Sequence, residues 1–179
     1  MKTSKLLTTL AFTFVMLLTL NVNAQKFPGL DKSPMDAASF PTNYKESNKA
    51  VKVIYSRPQL NGRSLDKLAP NGEIWRTGAN EAAEITFYKD TDFGGKMIKA
   101  GTYTMTTIPG EKEWTIIINS DLNTWGSYFY DQSKDVARIT APVTMADESL
   151  EAFSIVFDDN GTIHLGWGKV RVAIPTSSK

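Results

Sequence analysis

From Ala50 onward the chain breaks into nine short runs rich in β-branched and aromatic residues, separated by turn-forming clusters, and this succession limits the fold more than any other feature. The runs are AVKVIYS (50–56), EIWRT (73–77), AEITFYKD (83–90), TYTMTTI (102–108), EWTIIIN (113–119), DVARITAPV (135–143), AFSIVF (152–157), TIHLGW (162–167) and VRVAI (170–174). In the first, Val51, Val53 and Tyr55 alternate with Lys52, Ile54 and Ser56, the period of a half-buried strand. Tyr103, Met105 and Thr107 separate from Thr104, Thr106 and Ile108 in the same way. Pro109 to Lys112 and Asp158 to Gly161 carry hairpin chemistry, the second through an Asn-Gly pair that accepts positive φ. Only one turn near Leu65 to Leu68 reads as helix. The expectation is all-β: a single-domain antiparallel β-sandwich over residues 50–179, with a β-barrel as the alternative closure. Residues 25–49 carry Pro28, Pro34 and Pro41 with no sustained period, which predicts an irregular N-terminal arm.

The first 24 residues have the layout of a cleaved signal peptide: Lys2 and Lys5, an apolar run from Leu6 to Leu20, then Val22-Asn23-Ala24 before the cut. That apolar run of 15 residues is short for a bilayer, which needs about 20. Export to the periplasm or the extracellular space is expected, with no membrane anchor after cleavage. The chain has no cysteine, so no lipid can be attached at the cut and no disulfide can form. Cleavage leaves 155 residues, enough for one core without staples. Losing the two leader lysines takes the formal charge from +1 to −1, which gives no electrostatic footprint for nucleic acid.

His164 is the one histidine, and it cannot build a zinc site without other imidazoles or thiols. Its place in TIHLGW reads as structural rather than catalytic. KDTDFGGK (89–96) echoes a calcium loop but lacks the terminal glutamate, so a solvated loop is expected. No metal or other cofactor is expected. Among the four tryptophans, Trp125 stands in an aromatic segment through Tyr130 that could form a stacking platform.

Arginine is used sparingly, five times against fifteen lysines, and Arg57, Arg63 and Arg76 fall within 20 residues. Where lysine serves elsewhere, arginine suggests a need for the planar bidentate fork. Arg76 belongs to WRTGANE (75–81), which gathers Trp75, Arg76, Asn80 and Glu81 around Gly78. One reading makes this a hairpin connection between runs 73–77 and 83–90, with Gly78 or Asn80 left-handed and Arg76 paired with Glu81. The other makes Arg57, Arg63, Trp75, Arg76, Asn80 and Glu81 a binding site.

These motifs resemble the domain of unknown function 2911 family of exported bacterial proteins. The resemblance is carried by Ser33-Pro34, Tyr55 to Pro58, Gly62-Arg63, Gly72 with Trp75 to Glu81, Ala100 to Tyr103 and Ile108 to Trp114. It continues through Trp125-Gly126 with Tyr130-Asp131, then Leu165-Gly166-Trp167 with Val172 to Pro175, so it spans about residues 33–175. Many relatives in that family carry a histidine after Ser-Pro where this chain has Met35; any role resting on that histidine would be lacking here. The resemblance implies one β-rich exported domain and transfers no catalytic residue.

Three functional readings follow. The first is a binding module for a small polar or anionic ligand, such as a saccharide or cell-envelope fragment, using the six residues above. The second is a hydrolase in which Glu81 works with Asp131 or Asp135. The third is a structural or interaction protein that meets its partner through an exposed strand edge or the arm.

Overall fold

Alternation in β2, Val51–Ser56, turns Val51, Val53 and Tyr55 into the core and leaves Lys52 and Ile54 outside. The same logic repeats in β3, Ala83–Phe87, and the all-β antiparallel expectation holds. The computed structural model describes residues 25–178, so the expected signal peptide lies outside the described residues. Residues 25–30 have no regular secondary structure, and a compact unit begins at Asp31. Its strands are β1 (Met35–Phe40), β2, β3 (Ala83–Phe87), β4 (Thr91–Phe93), β5 (Lys96–Ile98), β6 (Gly101–Ile108), β7 (Glu113–Asn119), β8 (Asp135–Phe157), β9 (Ile163–Ile174) and β10 (Thr176–Ser178). One helical turn, α1, covers Leu65–Leu68 where the sequence suggested it.

Seven strands form one sheet in the order β1-β2-β3-β6-β7-β8-β9, curled into a half-barrel, and β10-β4-β5 form a second small sheet. The curl depends on β8. Its first part pairs with β7, and its register against β9 then shifts on either side of Leu150, the kind of irregularity that bends a ribbon. Its far end reaches back to the chain just after β2: Phe153 N–H donates to Pro58 O at 2.9 Å and Leu60 N–H to Glu151 O at 3.0 Å. Beside them the Tyr55 hydroxyl accepts from Ile155 N–H at 2.8 Å and donates to Ile155 O at 3.3 Å.

Inside the curl lies an aromatic cluster. Trp75 packs edge-on to Trp114 and Phe153, with centroids 5.8 and 4.9 Å away, and stacks on Trp167 at 5.5 Å. Three of the four tryptophans are therefore core residues. Such rings each bury on the order of 200 Å², so this cluster supplies much of the apolar burial at the closed end of the curl.

Several local expectations change. The arm expected to be irregular contains β1, which pairs along its whole length with β2. As an end strand bonded on one side only, with a partly exposed MDAASF sequence, it shows no clean alternation. EIWRT forms no strand paired with β3; Trp75 makes a single bridge with Thr107, through bonds of 2.7 and 2.9 Å. The run ends there because Thr77 takes φ +53°, rare for a β-branched residue, while its buried hydroxyl contacts that of Thr107 at 3.2 Å. KDTDFGGK is a hairpin rather than a solvated loop: β4 and β5 pair around Gly94 and Gly95, both at positive φ, and Phe93 enters the core. The two runs at 135–143 and 152–157 prove to be one strand, joined through residues 144–151, whose solvated ribbon lacks a buried period.

Candidate functional site

WRTGANE folds from its backbone outward. Trp75 is held in the core at 5% exposure, and Gly78 passes so close to β2 that a Cβ there would lie 3.0 Å from Ser56 O. Asn80 takes the left-handed conformation with φ +61°, and Ala83 N–H closes the turn on Arg76 O at 3.0 Å. The turn is then stitched to a distant segment. Gly126 N–H donates to Asn80 O and Ala82 N–H to Thr124 O, each at 2.9 Å, with Glu81 and Trp125 bridged between them. Two stretches of the family pattern, WRTGANE and the Trp125-Gly126 segment, thus meet through main-chain bonds.

The three arginines do not converge on a common opening. The Arg57 guanidinium is spent on the fold: it donates to Phe153 O at 3.1 Å, to Asp36 Oδ2 at 3.0 Å and to Ser154 Oγ at 2.7 Å. Arg63 donates to Leu60 O at 2.9 Å and Gln59 O at 2.8 Å, tying its own turn. Arg76 does not pair with Glu81. Among the described residues it has no hydrogen-bond or ion-pair partner, and its Nε is buried. Next to the Trp75–Thr107 bridge, antiparallel geometry sets Arg76 beside Thr106 on the opposite, outer face. The Thr106 hydroxyl is also buried without a partner.

What the fold does bring together is Asn80, Glu81 and Trp125. They line a groove with Ser56, Met35 and Asp31, continuous with a concavity of about 480 Å³ that adds Ile54, Glu84 and Asn123. That volume suits a small ligand. Trp125 is 55% exposed in its wall, unlike the other three tryptophans. Asp31, Glu81 and Glu84 border the groove, and among the described residues no lysine or arginine does. Glu84 is fixed by accepting from Asn123 N–H at 3.0 Å. Ser56, on the outward face of β2 with Ile54, is only 4% exposed, and its hydroxyl has no partner among the described residues. The sequence identified Asn80 and Glu81 but placed Trp125 only in an aromatic platform, and it overlooked Ser56, whose place is set by the backbone approach of Gly78.

Asp131 and Asp135 belong elsewhere. Asp135 accepts from Tyr130 Oη at 2.7 Å, Arg138 Nε at 2.7 Å and Asn119 Nδ2 at 2.9 Å. Burial, followed by this bond to Asp135, pushes the Tyr130 phenol above its ordinary value. Asp131 accepts from the N–H and hydroxyl of Ser133, at 2.9 and 2.7 Å, which hold its carboxyl below the usual range. The Tyr130 bond fastens the end of the 120–131 segment to the start of β8. Among the described residues no group of three or more His, Cys, Asp or Glu side chains could hold a metal ion.

A family model described as "Protein of unknown function (DUF2911)" matches residues 33–176. No curated protein and no solved structure matches the chain.

Proposed function

The chain belongs to the DUF2911 family, whose description assigns no activity, and from that premise we propose that this member is an exported binding module for a neutral or amine-bearing saccharide. The observation that carries the reading is the groove: exposed Trp125 with Glu81 and Glu84 around a concavity of about 480 Å³, and Asn80 and Asp31 in the part that adjoins it. Saccharides combine an apolar C–H face with a rim of hydroxyls, and an aromatic face beside fixed polar groups matches both parts. The anionic form of the ligand loses support, because Arg57 and Arg63 already have acceptors in the fold and the groove has an acidic border. Export rests on the leader-like composition of residues 1–24.

Thermal shift tests the proposal. A ligand present at about 100 times its Kd adds about 2.7 kcal/mol to stability, which in a domain of this size raises Tm by about 5 °C or more. Glucosamine or N-acetylglucosamine is expected to produce such a rise and citrate none. Trp125→Ala is expected to remove the shift, and Glu81→Gln to remove most of the preference for the amine. Equal shifts in wild type and Trp125→Ala would exclude the groove.

A further inference from the structure

Resting on that reading of the groove, we propose that the ligand is an amino-sugar glycan chain, and that it runs out of the groove across the ring of Tyr128. Tyr128 follows Trp125 by three residues, so their Cα atoms are at most about 11 Å apart, a span that a few linked hexoses bridge. It is 77% exposed, far beyond what its packing requires. The ring is nevertheless supported: a Cβ at Gly126 would lie 2.7 Å from Tyr128 Cε2, so the ring rests directly on the glycine, which has φ +68°.

The segment that presents both rings is fastened along its length. Thr104 Oγ1 donates to Asp121 O at 2.5 Å, Gly126 N–H to Asn80 O at 2.9 Å, and Asn119 Nδ2 to Asp131 O at 2.9 Å. Two exposed rings three residues apart on a fastened segment suit a repeating ligand, because little of the backbone remains to be ordered when it binds. Successive sugars in a chain present an apolar face to each ring in turn, which a single sugar does not. The Ser56 hydroxyl, without a partner among the described residues, offers a hydrogen bond to a sugar hydroxyl in the groove. Asp31, Glu81 and Glu84 favour ammonium groups along the chain and disfavour uronic acids.

Titration calorimetry of the protein with glucosamine oligomers from monomer to hexamer, with oligogalacturonates in parallel, tests the proposal. The hexamer is expected to bind about threefold to tenfold more tightly than the dimer, the increment of one aromatic contact. Tyr128→Ala should return the hexamer to the affinity of the dimer, and Tyr128→Phe should keep the gain. Affinity independent of length overturns the chain while leaving the groove reading in place. A length gain that survives Tyr128→Ala overturns the path, and tighter binding of oligogalacturonate overturns the charge assignment. Absence of binding by every oligomer overturns both the chain and the groove. Dimerisation of the protein that Tyr128→Ala abolishes makes the ring a protein contact and overturns the proposal.

Discussion

At the scale of single residues, the arginines separate by what accepts their hydrogen bonds. Arg57 joins β1 to β8 through Asp36, Ser154 and a main-chain carbonyl. Arg57→Met is therefore expected to lower stability by about 1–3 kcal/mol, read as a reduced midpoint in urea unfolding. Arg76 has the opposite balance. Its Nε is buried without an acceptor, a state that costs about 1–3 kcal/mol, while its stem covers the outer face beside Thr106. Arg76→Met keeps the stem and removes the orphan, so the same titration should show stability unchanged or raised by about 1 kcal/mol. The sequence could identify all three arginines as unusual, because composition is local. It could not distinguish Arg57 from Arg76, since the acceptors of Arg57 on β8 lie 96 and 97 residues away. Asn80 was legible as a turn residue for a related reason: its left-handed backbone is written in its own type.

At the scale of elements, the half-barrel is drawn together where the end of β2 meets β8. The Tyr55 hydroxyl both donates to and accepts from Ile155, and Tyr55→Phe leaves a buried N–H without its partner. A loss of about 1–3 kcal/mol is expected in thermal or urea unfolding, together with faster amide exchange at Ile155. In β6 the expected alternation fails because Thr104 and Thr106 are buried alongside Met105 and Thr107, whereas β2, whose two faces differ in burial, was legible from its alternation. β1 was not, because an end strand with small and polar residues has no buried stripe to betray it. The connection between residues 80–82 and 124–126 was equally hidden. It is made by main-chain groups, which every residue but proline carries, so side-chain pattern gives no sign of it.

At the scale of the whole molecule, three solvent-accessible carboxylates with lowered folded values contribute to the pH dependence of stability. Asp66 is held below its usual range by the Ser64 hydroxyl, Asp131 by Ser133, and Asp158 by the His164 ring and the N–H groups of Thr162 and Asn160. A carboxylate with a depressed folded value stabilises the protein above its unfolded value and loses that contribution as pH falls through the folded one. Melting temperature should therefore be flat from neutrality down to pH about 5 and fall below pH about 4. Asp158→Asn, which removes the contact to His164 at 3.1 Å, should lower the plateau and make the fall shallower.

The tie between Tyr55 and Ile155 spans 100 residues, and it bears on when this protein can become itself. A chain that emerges N-terminus first has its early strands in hand long before the partner that curls them together. Until the last third arrives, the Trp75 cluster lacks Phe153 and Trp167, so the emerging half has no finished interior to collapse onto. Contacts this distant slow folding. Under the export proposed above, that delay would keep the chain loose during passage and reserve closure for the far side.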